Sequence, residues 1–148
     1  MPVEKVEFGA RLRAAFPATP LNFDGALTGG TDEGAFRNHV AGKTWTELDF
    51  ELVVRRSDVL SFLAPKHLIG VLPVYLQAMV DWGGDTPVPD TLVLVLDREQ
   101  EPRFDKIAKL LNDEQCAVVR DALELFAEGS SGQPAEAARQ AIESWRTR

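Results

Sequence analysis

The stretch from Leu60 to Trp82, LSFLAPKHLIGVLPVYLQAMVDW, constrains the fold more than any other. From His67 to Val80 it carries no Asp, Glu, Lys or Arg. Leu68, Leu72, Tyr75, Leu76 and Met79 recur at helical spacing, and Ile69, Pro73, Leu76 and Val80 do so on the adjoining face. A helix that is apolar nearly all round must be enclosed by other elements, so it belongs at the centre of a bundle. A membrane span would need about 20 consecutive apolar residues. This run is shorter, contains Lys66 and ends at Asp81, so the prediction is a buried core helix with no membrane association. Pro73 has no N–H, its ring crowds the carbonyl of Ile69, and it pushes Leu72 away from helical geometry. Two helical pieces are therefore expected, bent at Gly70–Leu72, with Pro65 and Pro73 each in a first turn. Gly83 and Gly84 should stop the second piece.

The remaining segments supply the shell of that bundle. Residues 3–16 form an amphipathic helix with Phe8, Leu12, Ala15 and Phe16 on one face, stopped by Pro17. The loop PATPLNFDGALTGG follows, with Leu21, Phe23 and Leu27 expected to clip it to the core. Thr31 caps a helix to about Ala41, with Phe36 and Val40 inward and Gly42 at its end. Residues 48–54 are ambiguous. Leu48, Phe50, Leu52 and Val54 alternate as in a strand, yet Trp45, Leu48, Leu52 and Val59 fit a helical stripe. Ser57–Asp58 caps a short turn running to Leu63. Residues 91–97, TLVLVLD, read as a strand by propensity, or as a short buried helix capped by Asp90 after a turn-rich DTPVPD linker. Asn112 and Gln115 open a strong helix, DEQCAVVRDALELFAE, with a capping box. A flexible EGSSGQP loop leads to a last helix from Pro134 to about Trp145. The expectation is one mainly α, compact helical bundle of 148 residues, with at most a minor two-stranded element.

With these segments in place the chain resembles a family of small bacterial proteins catalogued as a domain of unknown function. The resemblance lies in Trp45 with Glu47, the run from Asp58 to Pro65, the Leu72-Pro73-x-Tyr75-Leu76 element, and Glu114-Gln115 opening a helix that holds Val119 and Leu123. It spans about half the chain, from Trp45 to Leu123. The leucine–proline–x–tyrosine element is its most specific part; Leu68, Ile69 and Val71 stand before it where the family often has aromatic residues. The resemblance implies a mostly helical domain, favours helix over strand for residues 91–97, and assigns no catalytic residue. Some small bacterial proteins of this general sort neutralise toxins encoded beside them, which is an analogy of class and not of motif.

Each possible chemistry has a plainer structural explanation. Ala41-Gly42-Lys43-Thr44 imitates the end of a phosphate-binding loop, but the leading glycine would have to stand where Arg37 does, and the element follows a helix instead of a strand. Gly29-Gly30-Thr31 could hold an anion, except that Asp32 and Glu33 occupy the place. Cys116 is the only cysteine, lies on an apolar stripe and follows Asp113, Glu114 and Gln115; it is expected to be an inert core residue. No intramolecular disulfide is possible. His39 and His67 have neither each other nor a cysteine at ligand spacing, so no metal and no cofactor are expected, although either histidine could meet acids in three dimensions. Ser57, Ser61, Ser130, Ser131 and Ser144 sit in no nucleophile elbow.

The net charge of −7 opposes nucleic-acid binding, and the basic clusters Arg55–Arg56 and Arg146–Arg148 are too small to reverse it. The N-terminus shows no apolar signal region, which predicts a cytoplasmic location. Trp45 and Trp145 lie on inward stripes. Trp82 ends the central helix beside a turn-rich loop and should be half exposed, flanked by Asp81 and Asp85. These three residues are the candidate protein-binding site, and a basic protein is the partner their charge would suit. The leading functional expectation is an interaction module of the immunity-protein or adaptor type. The alternative is an enzyme or small-molecule-binding helical protein with a site assembled from scattered residues. An exposed apolar patch beside acids would favour the first; a deep polar cavity enclosing a histidine with two acids would favour the second.

Overall fold

The buried stripes of this sequence assemble into helices around the predicted centre. The computed structural model describes residues 5–21, 40, 42–61 and 63–146. Every regular element among them is helical. In order these are α1 (Lys5–Ala15), α2 (Phe50–Arg55), α3 (Pro65–Trp82), α4 (Val88–Val95), α5 (Phe104–Lys109), α6 (Asp113–Glu128) and α7 (Gly132–Arg146). Three 3-10 turns, Trp45–Glu47, Ser57–Ser61 and Gly83–Asp85, bridge α-helices. The fold is mainly α, and both ambiguous stretches are helical: α2 lies within residues 48–54 and its neighbours, and α4 covers Thr91 to Val95. The two-stranded alternative fails, because the alternating faces of these stretches meet helices and not a neighbouring strand.

α3 touches α1, α2, α4, α5 and α6. Leu68, Val71, Leu72, Tyr75, Leu76 and Met79 are fully enclosed. Outer contacts tie the shell together: α6 lies against both α1 and α7, and α4 against α7. Polar groups lock the ends. Asn112 Oδ1 accepts the Gln115 N–H at 2.8 Å while Gln115 Oε1 accepts the Asn112 N–H at 2.9 Å, so the predicted capping box starts α6. The Tyr75 hydroxyl donates to the Arg56 carbonyl at 2.8 Å, anchoring the Ser57–Ser61 turn to α3. Arg103 donates to the carbonyls of Leu60 and Leu63 and pairs with Glu101, closing the chain before α5 onto the chain before α3.

Several expectations need correction. α3 is one continuous helix of 18 residues with Pro73 inside it, not two pieces. A proline within a helix costs about 3 kcal/mol. Burying Leu72, Val74 and Leu76 stabilises by about 1.5–3 kcal/mol each, which offsets that cost in the continuous helix. Gly70 serves contact more than bending: a Cβ there would lie 2.9 Å from Leu21 Cδ2, so the missing side chain is what admits the Leu21 clip. Gly83 does end α3, with φ 53°. α4 begins at Val88, inside the expected linker, which puts Asp90 in its first turn and not at its cap. α7 begins at Gly132, two residues before Pro134, which shortens the EGSSGQP loop to Gly129–Ser131. The six-residue α5 has no counterpart in the sequence expectation; Phe104, Ile107 and Ala108 bury one of its faces. The expected helix from Thr31 lies outside the described residues except for Val40, which is helical and buried, as do Phe23, Leu27, Phe36 and His39.

Candidate functional site

α3 and α6 are the two longest described helices, and both end at the same place. Asp81, Trp82, Gly83 and Asp85 from the end of α3 face Leu125, Phe126, Gly129 and Ser130 from the end of α6 across a cavity of about 280 Å³. All three residues of the predicted binding site therefore line one recess. Trp82 is 51 % exposed, and its ring rests on Phe50 with centroids 5.7 Å apart and planes tilted by 50°. Its indole N–H has no acceptor among the described residues. The other two tryptophans differ. Trp45 Nε1 donates to the Phe16 carbonyl at 2.9 Å and Trp145 Nε1 to the Leu96 carbonyl at 2.8 Å, and both rings are buried. Buried tryptophan normally satisfies its donor in this way.

The charged side chains that line this recess are of one sign. Residues 67–97 and 121–138, which supply its lining, contain no Lys or Arg, although α2, whose Phe50 meets Trp82, ends in Arg55. Asp85, Asp90, Glu128 and Glu136 are exposed there, and none of them forms an ion pair among the described residues. Helix C-termini carry the negative pole of the helix dipole, equivalent to roughly half an elementary charge each. The N-termini of α4 and α7, which follow within a few residues, carry the opposite pole, so the recess favours positive charge through its acids.

A second recess adjoins the first. Pro89, Val93 and Leu94 of α4 face Pro134 and Ala137 of α7 across about 160 Å³, and Phe126 forms a wall of both recesses. Leu94 is 51 % exposed. Trp82 and Leu94 are the two most exposed large apolar side chains described. The sequence missed Leu94 because residues 92–96 are all apolar; only an exposure difference between Leu94 and its neighbours Val93 and Val95 marks it.

The opposite end of α3 holds a larger cavity of about 330 Å³, bordered by Phe16, Trp45, Lys66, His67 and Gln115 among others. His67 is buried, but no acid lines this cavity among the described residues. The polar atoms of two of its walls are used by the fold: Trp45 Nε1 on Phe16, and Gln115 through its capping box and through Nε2 to the Ala15 carbonyl at 3.0 Å. The phosphate-loop mimic is likewise engaged. The Gly42 N–H donates to the Leu21 carbonyl at 3.0 Å and the Lys43 carbonyl accepts the Leu21 N–H at 2.8 Å, so this backbone pins the loop instead of facing a ligand. Cys116 is buried, with its Sγ 4.0 Å from the Leu111 carbonyl. Burial, aided by Asp58, pushes the Tyr75 hydroxyl above the usual phenol range, so it stays protonated and donates to the Arg56 carbonyl. No group of three His, Cys, Asp or Glu among the described residues could hold a metal ion. None of the described helices is long and apolar enough to cross a membrane.

Compared with protein-family models, curated proteins and solved structures, the chain matches none.

Proposed function

We propose that this protein works in the cytoplasm as an interaction module, of the immunity-protein or adaptor type, that holds a basic protein partner at the Trp82 end. The observation that carries the reading is the half-exposed Trp82, whose indole donor meets no acceptor among the described residues, set between Asp81 and Asp85 at the converging ends of α3 and α6. Tryptophan is enriched among residues that dominate binding energy, because a large ring loses much hydration for little conformational entropy. Acids around such an anchor speed association with a basic partner and make it salt-sensitive. The family resemblance adds only size and class to this reading and assigns no residue to it.

The test is capture of interacting proteins by immobilised wild-type protein and by Trp82→Ala, at low and high salt. Wild type should retain a basic protein at low salt, release it at high salt, and lose it when Trp82 is replaced, with the helical circular dichroism unchanged. Equal retention by both proteins would refute the reading, as would turnover of a metabolite pool by purified protein that captures nothing.

A further inference from the structure

Resting on the reading above, we infer that the partner segment is a helix presenting two groups one or two turns apart: a Lys or Arg for the Trp82 recess, and a branched aliphatic or aromatic side chain for the recess between α4 and α7. Three features of the surface specify this occupant.

The first is the absence of a sheet edge among the described residues. Every described regular element here is helical, with its main chain paired internally. An extended peptide would gain no ladder of hydrogen bonds and would leave its own backbone groups to be satisfied. An occupant that brings a paired backbone, a helix, meets no such cost.

The second is the contrast between the two recesses. The Trp82 recess combines an aromatic face with Asp85, which together suit a cation. The α4–α7 recess is walled by Pro89, Val93, Leu94, Phe126 and Pro134, with Asp90 and Gln133 at its polar margin. Its volume of about 160 Å³ is close to that of an apolar cavity able to take benzene, about 150 Å³. One apolar side chain of that bulk fits. The shared Phe126 wall makes the recesses immediate neighbours, which matches groups three, four or seven residues apart on one helix face.

The third is charge. A second copy of this chain would bring the same acid-lined recesses, and like charges brought together oppose docking. The complement is a basic helix, not a twin.

The experiment uses full-length protein and a display library of helical peptides with randomised exposed positions. Selection should enrich Lys or Arg at one position and Leu, Ile, Phe or Trp one or two turns away. Ala137→Trp, which fills the α4–α7 recess, should weaken the selected peptides at least tenfold. Leu94→Lys should do the same, and because Leu94 is already half exposed it serves if Ala137→Trp disturbs the fold. If the peptides lose binding with Trp82→Ala but keep it with both recess variants, the two-point helix is wrong while the Trp82 site stands. Binders that are acidic, that lack the paired groups, or that ignore all three substitutions overturn the inference, and so does a library that yields no binder.

Discussion

The two ends of the central helix offer a direct comparison. Each has a tryptophan beside a cavity of about 300 Å³. At the N-terminal end Trp45 is 4 % exposed and its N–H is bonded to Phe16, while Gln115 ties α6 to Ala15. At the C-terminal end Trp82 is 51 % exposed, its donor meets no acceptor among the described residues, and its recess is lined by acids and no bases. The same residue type thus has two physical fates. Where ring and donor are both engaged internally, the tryptophan stabilises the fold. Where neither is fully engaged, the fold gains little from it, and the unused capacity is what a partner could meet.

The comparison breaks most visibly in stability. Trp45→Ala should cost about 3–5 kcal/mol, from lost burial and from the stranded Phe16 carbonyl, whereas Trp82→Ala should cost less than about 1 kcal/mol. Urea denaturation of the two variants measures both, and equal costs would end the distinction. Leu76→Ala, in the fully enclosed middle of α3, should cost about 2–5 kcal/mol. A loss below about 0.5 kcal/mol would mean that the helix is not the core.

Arg103 gives a smaller and pH-dependent effect. Burial works to raise the Glu101 carboxyl, but hydrogen bonds from the Arg103 side chain and N–H outweigh it and hold Glu101 below the usual carboxylate range. A carboxyl depressed in the folded state stabilises above its unfolded value and loses that contribution as pH falls through the folded one. Arg103→Ala should therefore cost about 1–3 kcal/mol at neutral pH, a gap that narrows on acidification below about pH 4. A gap independent of pH would show that the side chain matters only through Leu60 and Leu63.

The least perturbing test needs no change in stability. Trp82 is the only half-exposed indole and has an acidic setting, so native quenching by caesium should exceed that by iodide when each is scaled to its quenching of free indole, and Trp82→Phe should abolish the difference. Equal scaled quenching by both ions would mean that the field at this end is not negative. Cys116, by the same logic of enclosure, should react slowly with a thiol reagent until the protein is denatured; rapid native labelling would contradict its burial.

Much of this was legible in the sequence because it is local. The capping box at Asn112 and Gln115, the stop at Gly83 and the inward stripes of α1 and α6 depend on residues within one or two turns of each other, where spacing and hydrogen-bond chemistry decide. The apolar run of α3 demanded enclosure whatever enclosed it. The sequence also placed Trp82 at a helix end between two acids.

The tertiary structure alone decided what depends on neighbours distant in the chain. Pro73 predicts a break, yet α3 runs through, because packing from five other helices favours the continuous form. α5 exists because Phe104, Ile107 and Ala108 find a core to cover, not because its sequence is strongly helical. In the run TLVLVLD no local rule separates Leu94 from Leu92. Leu92 meets the core and Leu94 meets solvent. The pairing of the Trp82 and Leu94 recesses through Phe126 joins residues more than 30 positions apart, and only the packing of α6 between α3 and α7 brings them together.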